Sequence, residues 1–271
     1  AWAQSPQVRA PATIRAGETL TVGTGGSGSA TLYVIAPGHV AKRQVRLGED
    51  VQIGSEDTQS AGTYLILACD GSNCGNARVN VIANQPNDIA FLVHPSRIRV
   101  QQTNAISAVA VVLDRYQNLV LEPNTVKFQA TMKGGPSAVL PQQTHNGIAW
   151  ARLNSGAKEG KVEIAASVGE ASERRIVQQV ASEPCNLRAS VQSAGGKLVL
   201  QTDPIRDCRG NALPDGTIVT FTKLDKLGRS TVDAPIKKGI ARTQMAYAGP
   251  ATISVACGVS LGNEIRVGGP Q

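Results

Sequence analysis

The 271-residue sequence has few aromatic residues, 3 % of the total, and only 17 % of its residues are charged. Buried cores must therefore come from Val, Ile, Leu and Ala. No stretch approaches 18 consecutive apolar residues, so the sequence contains no candidate membrane-spanning helix. Helical periodicity is nearly absent, whereas glycine (28) and proline (14) are frequent. This composition is typical of short strands joined by many turns.

Motifs that carry enzyme chemistry are also missing. Neither HExxH nor GxSxG occurs, and His39, His94 and His145 fall in three separate loops or edges without a second metal ligand at suitable spacing. Residues 23–28, GTGGSG, satisfy the dinucleotide-binding pattern, but a strand follows where a pyrophosphate site needs a helix N-terminus. We therefore expect no catalytic residues, no cofactor and no bound metal, and we expect that the protein is not an enzyme.

One metal alternative is left open. Asn84–Asp88, NQPND, offers oxygen ligands at a predicted linker, but calcium usually needs several carboxylates and only Asp88 is a certain one. A stiff linker set by Pro86 is the competing interpretation.

The net charge of +7 is spread along the chain and does not form a basic helix. No aromatic residues alternate with the basic ones to stack on bases, so the pattern argues against nucleic acid. A solvated surface is the simplest interpretation, and attraction to an anionic polysaccharide is the alternative. Ala1–Ala3 resembles the end of a signal peptide. Together with five cysteines it favours an exported protein, extracellular or at the cell surface, with the periplasm as a further possibility.

Parts of the sequence are repeated. DRYQNLVLEPNTVKF begins at Asp114, and DCRGNALPDGTIVTF begins at Asp207 with the same internal spacing. Gly-Ile-Ala strand entries recur at Gly147 and Gly239, and three segments, 61–69, 159–167 and 248–257, each combine a glycine with an alternating strand. These repeats predict three domains, 1–84, 85–182 and 183–271, each long enough for a seven-stranded sandwich of two antiparallel sheets.

The middle repeat shows strand signals separated by turn residues. The predicted strands are Ile89–Val93, Ile98–Gln101, Ala105–Leu113, Thr125–Met132, Gly147–Leu153, Gly160–Ser167 and Arg174–Val180.

The repeated turn has a predicted structural role. The carboxylates of Asp114 and Asp207 can accept hydrogen bonds from backbone N–H groups two or three residues later. Gly210 and Asn211 tolerate positive φ and can reverse the chain, and Asn118 takes the place of Asn211 in the earlier copy. We predict that these residues are structural, not catalytic.

The motifs DxxGN, LPDGTIVTFT, KKGIARTQM and AGPATISVAC resemble bacterial Ig-like domains of the invasin and intimin type. The resemblance covers 185–267 well and 87–180 fairly, with Gln117 in place of the motif glycine, and it is weak over 5–83. In that first part, EDTQSAGTYLILAC resembles the entry to strand F of immunoglobulin domains. This resemblance implies that Tyr64 is a tyrosine corner, with its hydroxyl bonded to backbone near Asp57.

Cysteine pairing is predicted in part. Cys69 and Cys74 flank a tight polar turn, so we expect a disulfide across this hairpin. On the Ig-like topology, Cys185, Cys208 and Cys257 lie at the same end of the third sandwich. We favour Cys208–Cys257, which would join the two sheets, with Cys185–Cys208 as the alternative.

Trp150 is the best candidate contact residue, because its counterpart in the next repeat is Arg242, a residue type that faces outward. The alternative is that the middle domain packs Trp150 inward. We expect an all-β rod of three tandem immunoglobulin-like β-sandwich domains, exported, non-catalytic, and structural or adhesive. Its partners would be other proteins or further copies of itself. The alternatives are a module that binds glycan or cell wall through its basic surface and an accessory subunit of a larger exported complex.

Overall fold

The computed structural model describes residues 5–132 and 138–268, and the regular secondary structure of these residues consists of strands and one short 3-10 helix, Ser55–Asp57. The predicted signal-peptide remnant, Ala1–Ala3, lies outside the described residues. Among the described residues, no helix is both long enough and apolar enough to span a bilayer.

The first sandwich consists of eight strands. They are β1 (Gln7–Arg9), β2 (Thr13–Arg15), β3 (Leu20–Gly25), β4 (Ser29–Ala36), β5 (His39–Arg46), β6 (Asp50–Ile53), β7 (Gly62–Asp70) and β8 (Asn73–Ile82). One sheet has the order β1-β3-β6 and the other has the order β2-β8-β7-β4-β5. The short strand β2 runs parallel to β8, whereas the other pairs are antiparallel.

The middle sandwich repeats this plan. Its strands are β9 (Asp88–His94), β10 (Arg97–Arg99), β11 (Ile106–Leu113), β12 (Thr125–Met132), β13 (Ala138–Gln143), β14 (Ile148–Leu153), β15 (Gly160–Val168) and β16 (Ala171–Val180). The sheets are β14-β11-β9 and β10-β16-β15-β12-β13, and β10 again runs parallel to the last strand.

The third sandwich has seven strands. They are β17 (Ala189–Ala194), β18 (Lys197–Thr202), β19 (Ile218–Asp225), β20 (Gly228–Pro235), β21 (Arg242–Ala246), β22 (Ala251–Cys257) and β23 (Ser260–Val267). They form the sheets β17-β18-β21 and β20-β19-β22-β23.

Each sandwich has its own buried cluster, because alternate residues along each strand point between the two sheets. In β12, Val126 and Phe128 are fully buried, and Val219 and Phe221 occupy the same positions in β19. Apart from three large aromatic side chains, Tyr64, Phe128 and Phe221, the largest fully buried side chains are Leu and Ile. The three cores are therefore aliphatic, as the composition predicts.

Candidate functional site

The repeated turns lie where one sandwich meets the next. In the first copy, the Asp114 carboxylate accepts hydrogen bonds from the N–H groups of Tyr116 (2.8 Å) and Asn118 (2.9 Å). Gln117, which replaces the motif glycine, adopts a left-handed conformation with φ 66°. The predicted carboxylate-capped turn is present, but its N–H donors come two and four residues after the aspartate, and not two and three, because Gln117 N donates to the main-chain carbonyl of Asp114.

The second copy has the same geometry. Asp207 accepts from the N–H groups of Arg209 (2.9 Å) and Asn211 (2.9 Å). Gly210 has φ 80°, as predicted, but Asn211 is not among the residues with positive φ. The left-handed conformation considered for Asn211 is therefore absent, and the residue takes part in the turn through its N–H and its side-chain amide, which both donate to the Asp207 carboxylate.

The asparagine side chain of each turn also contacts the preceding sandwich. The Asn118 amide group donates to the carbonyl oxygen of Gln59 (2.7 Å), while its side-chain oxygen accepts from the N–H of Ala61 (2.8 Å). Gln59 and Ala61 belong to the loop that enters β7, the strand containing the buried Tyr64. Asn118 therefore binds both a donor and an acceptor of a main chain in the sandwich before its own.

Asn211 makes the equivalent contacts at the second junction. Its amide group donates to the carbonyl of Ala157 (3.0 Å), and its side-chain oxygen accepts from the N–H of Glu159 (3.2 Å). Ala157 and Glu159 precede β15, just as Gln59 and Ala61 precede β7. The same two hydrogen bonds are thus made at both junctions.

The aspartates bind the linkers. Asp114 Oδ2 accepts from the N–H of Asn84 (2.8 Å), and Asp207 Oδ2 accepts from the N–H of Ser182 (3.1 Å). The same oxygens also accept from the amides of Asn118 (2.9 Å) and Asn211 (2.8 Å). We call this set of contacts the junction clasp: an Asp that holds the linker and an Asn that holds the preceding sandwich.

Both clasp carboxylates are buried and ionised. Burial alone would raise the pKa of Asp114, but hydrogen bonds from the Asn118 side chain and from the N–H groups of Asn84, Asn118 and Tyr116 outweigh it and hold the pKa below its ordinary value. At Asp207 the balance is the same, since burial is again opposed by four hydrogen bonds and the pKa is lowered. The charged form of each aspartate therefore stabilises its junction.

The first junction has two further contacts. Tyr116 packs against the core of the first sandwich, and its ring covers Gly17, where a Cβ atom would collide with the tyrosine hydroxyl. Arg15 forms a bidentate ion pair with Glu122 across the junction, with N–O distances of 3.0 to 3.3 Å. This pair is partly exposed and contributes little energy alone, but it adds a second point of attachment.

The second junction replaces these contacts with others. Arg99 forms an ion pair with Glu183 in the linker, and the Ser182 hydroxyl donates to the carbonyl of Val100 (2.9 Å). Lys158 donates to the carbonyl of Arg209 (3.3 Å), and Arg209 is the counterpart of Tyr116 in the second turn. The clasp is therefore the element common to both junctions, while the surrounding side chains differ.

A cleft of about 390 Å³ flanks the first clasp, between the end of β8 and residues 118–122. Its lining is mainly aliphatic. Within the described ranges, no three His, Cys, Asp or Glu side chains are grouped to hold a metal ion. In the linker considered for calcium, Asp88 accepts from Ile89 N (2.8 Å) and Gln117 Nε2 (3.1 Å), and Asn84 Oδ1 accepts from Gln85 N (2.7 Å).

In the third sandwich, the carbonyl that corresponds to those of Gln59 and Ala157 is bound by a side chain of the same sandwich. Ala246 precedes β22 as Ala157 precedes β15, and its carbonyl accepts from the ammonium group of Lys223 (3.0 Å). Lys223 is itself paired with Asp225 (2.6 Å), and both side chains are buried. Hydrogen bonding from Lys223 lowers the pKa of Asp225. Lys223 therefore donates to the Ala246 carbonyl as Asn118 and Asn211 donate to the equivalent carbonyls of the first and middle sandwiches.

The structure contains two disulfides. Cys69 and Cys74 are directly opposite in the β7–β8 hairpin and are bonded, with Cα atoms 4.2 Å apart, as the spacing predicts. Cys185 is bonded to Cys208 and Cys257 is free, so the favoured Cys208–Cys257 pair was wrong and the alternative is the one present.

The physical reason lies in side-chain direction. A β-bridge between Pro184 and Asp207 brings Cys185 beside the surface turn that carries Cys208. Cys257, in contrast, points from β22 into the apolar core, where burial raises its thiol pKa.

Tyr64 is fully buried, and its hydroxyl donates to the carbonyl of Ser60 (2.9 Å). Burial raises its pKa, the bond to Ser60 opposes this, and nearby Asp57 adds to it. The hydroxyl thus makes the bond to an upstream carbonyl that defines a tyrosine corner, at Ser60 and not at Asp57. It holds the loop that presents Gln59 and Ala61 to the first clasp.

Trp150 faces outward from β14 and 56 % of its surface is exposed. Its ring lies against His145, with ring centroids 5.8 Å apart. A shallow pocket of about 370 Å³ is formed there by Pro141, Gln142, Gln143, His145 and Trp150. The alternative of an inward-packed tryptophan does not apply.

No protein-family model matches the sequence, and no curated protein matches it either. The fold does match solved structures. FdeC, an Escherichia coli adhesin, is 13 % identical, with a TM-score of 0.60 over 97 % of this chain and 96 % of that one. Invasin, described as a bacterial integrin-binding protein, is 13 % identical with a TM-score of 0.54. The alignment covers 98 % of this chain and 60 % of invasin.

The fold is therefore that of tandem Ig-like domains in bacterial adhesins, as the sequence motifs indicated. At this level of identity the likeness extends to the fold alone.

Proposed function

We propose that the chain is an exported, non-catalytic rod that sets a fixed distance and direction in a surface or adhesive assembly, in which copies associate with one another. We further propose that its domains are 1–84, 85–182 and 183–271, so that both linkers lie within the clasps. The observation that carries this proposal is that the same clasp joins the sandwiches at both junctions. A chain of freely jointed domains would have no need for it.

Two other findings support the proposal. The solved structures with this fold and whole-chain coverage include a bacterial adhesin. The two disulfides are typical of an oxidising compartment outside the cytosol. An extracellular or surface location agrees with both findings.

The experiment removes the asparagine half of each clasp. Asn118→Ala and Asn211→Ala each delete two hydrogen bonds to the preceding sandwich, which together contribute about 1–3 kcal/mol. We expect the double variant to bend at both junctions, so that small-angle X-ray scattering gives a broader distance distribution and a smaller mean dimension. Hydrogen exchange at the amides of Ala61 and Glu159 should accelerate.

Asn263→Ala is the matched control. The Asn263 side chain also binds one N–H (2.7 Å) and one carbonyl (3.1 Å), both of Ala189 within the third sandwich. This variant should destabilise that sandwich without altering the scattering of the folded protein. If the double variant scatters as the original chain does, the rod proposal is wrong.

A second candidate function is supported by one surface. On the outer face of the sheet β2-β8-β7-β4-β5, Lys42 lies 6.0 Å from the ring centroid of Tyr33, and Arg46 and Arg78 also point outward. Within these described strands, no carboxylate occupies an outward position between the sheet edges. Such a face suits an anionic polysaccharide. Salt-sensitive binding of heparin by a chain with flexible junctions would favour this candidate over the rod.

A further inference from the structure

The outer face of the sheet β14-β11-β9 in the middle sandwich is apolar and uncovered. Strand pairing places the outward side chains in rows that run across the three strands. The two central rows are Trp150–Val109–Leu92 and Ile148–Val111–Ala90. Leu92 is 69 % exposed and Trp150 is 56 % exposed, although both belong to strands whose inner face is buried. These six residues form what we call the middle face.

The equivalent faces of the other sandwiches are polar. The corresponding central row in the third sandwich is Arg242–Gln201–Ser190. In the first sandwich, the outward residues of the equivalent sheet include Gln52 and Thr21 in one row, and Asp50, Gly23 and Arg9 in another. The fold therefore does not require apolar residues at these positions. An exposed apolar patch of this kind usually marks an interaction site.

The charges at the two ends of the middle face are opposite. The row beyond Trp150 consists of Arg152, Ser107 and His94, while Asp88 lies in the row beyond Ala90 at the other end. Between these end rows the middle face contains no charged residue. One end is therefore basic and the other acidic along the strand direction.

We propose that the middle face binds the middle face of a second copy of the chain. A two-fold axis perpendicular to the strands, lying between the two sheets, reverses the strand direction. It places the apolar rows against each other and sets Asp88 of each copy over the end of its partner that carries Arg152 and His94. Such an isologous contact requires a self-complementary surface, and the opposite charges at the two ends supply it. Packed sheets commonly cross at about 30°, which brings Asp88 between the two basic side chains.

The size of the face indicates a weak contact. With strands roughly 4.8 Å apart and a rise of roughly 3.4 Å per residue, the six residues of the middle face cover about 200 Å², and the two end rows raise this area to about 300–400 Å². Stable interfaces bury about 800 Å² on each partner, so this dimer belongs with transient associations. On a surface carrying many copies, weak contacts of this kind act together.

This inference deepens the proposed function, because it names the surface through which copies associate. Sedimentation equilibrium of the full chain over a concentration series should show the mean mass rising from the monomer toward twice that value. Leu92→Arg should weaken association by at least about tenfold, since it buries an unpaired charge in the contact. Ser190→Arg is the matched control, because it introduces the same charge at the equivalent position of the third sandwich and should leave association unchanged.

A charge exchange tests the orientation independently. Asp88→Lys and Arg152→Asp should each weaken association, and the double variant should recover part of the loss. A chain that stays monomeric at every concentration, or equal effects of Leu92→Arg and Ser190→Arg, would overturn the proposal. So would a monomer whose Trp150 indole resonance shifts when maltohexaose is added, which would indicate a glycan on this face.

The rod proposal and the dimer proposal can be refuted independently of each other. The scattering experiment on the clasp variants measures stiffness within one chain in dilute solution, whereas sedimentation measures mass. A stiff monomer would remove the dimer and keep the rod, and a flexible dimer would do the reverse.

Discussion

Gly17→Ala should open the first junction through a steric effect that can be isolated. Gly17 has φ 80°, and Tyr116 of the middle sandwich lies over it so closely that a Cβ atom would collide with the tyrosine ring and hydroxyl. The left-handed backbone costs a residue with a side chain about 1–2 kcal/mol. Displacing the tyrosine would also expose about 50–100 Å² of apolar surface, a further loss of about 1–2 kcal/mol.

Gly38→Ala separates these two effects. Gly38 has φ 83° in the turn between β4 and β5 of the same sandwich, but no atom lies within 4 Å of an added Cβ. Both variants should lower the stability of the first sandwich by the backbone cost, read from native-state hydrogen exchange in β7. Only Gly17→Ala should broaden the small-angle scattering distance distribution.

A double-mutant cycle completes the test. In a Tyr116→Ala background the collision is absent, so Gly17→Ala should cost only what Gly38→Ala costs, and the coupling should be about 1–2 kcal/mol. If Gly17→Ala and Gly38→Ala have the same exchange and the same scattering, Tyr116 does not hold the junction and the reasoning fails.

Two further predictions concern acid and disulfides. Asp114 and Asp207 have lowered pKa values in the folded protein. Their contribution to the stability of the junctions is therefore full above pH about 4 and is lost as the pH falls through these lowered pKa values. Scattering should therefore broaden in acid before the cores unfold, and an unchanged curve down to the unfolding pH would contradict this. Replacing the Cys185–Cys208 pair by serines should cost about 3.4 kcal/mol, against about 2 kcal/mol for the Cys69–Cys74 pair, because it closes the longer loop. Equal losses in local hydrogen exchange would refute the loop-length argument.

The strands of the middle sandwich were largely predictable, because alternating aliphatic residues mark a strand with one buried face. All seven predicted strands have counterparts in β9–β12 and β14–β16. The strand β13 (Ala138–Gln143) was missed. It is an edge strand whose side chains are nearly all exposed, and Pro141 interrupts its pattern, so burial left no alternation in the sequence.

The turn was also predictable, but its partners were not. Asp-x-x-x-Asn indicates a capped turn because the carboxylate bonds nearby N–H groups. Asn118 and Asn211, however, bind main-chain atoms about 55 residues earlier, and any residue type supplies those atoms. The linker residue and the aspartate are 30 residues apart in one copy, Asn84 with Asp114, and 25 apart in the other, Ser182 with Asp207, so no fixed separation marked the contact in the sequence.

The cysteine pairing of the third sandwich could not be predicted from the sequence and the strand order alone. Cys185, Cys208 and Cys257 lie at one end of a sandwich, and topology does not say which side chain points inward. The outward position of Trp150, in contrast, follows from the repeat, because Arg242 occupies the same place in the next copy and cannot be buried alone.

Recognition of main-chain atoms has a consequence for how such chains change over generations. Since each clasp asparagine contacts only an N–H and a carbonyl group of the preceding loop, that loop can vary freely in side chain, as Gln59-Ser60-Ala61 and Ala157-Lys158-Glu159 do. A gene segment that encodes one sandwich with its own turn could be duplicated, lost or exchanged without any matching change in the loop that the clasp contacts. The length of the rod would then be free to evolve while the angle at each joint stayed the same.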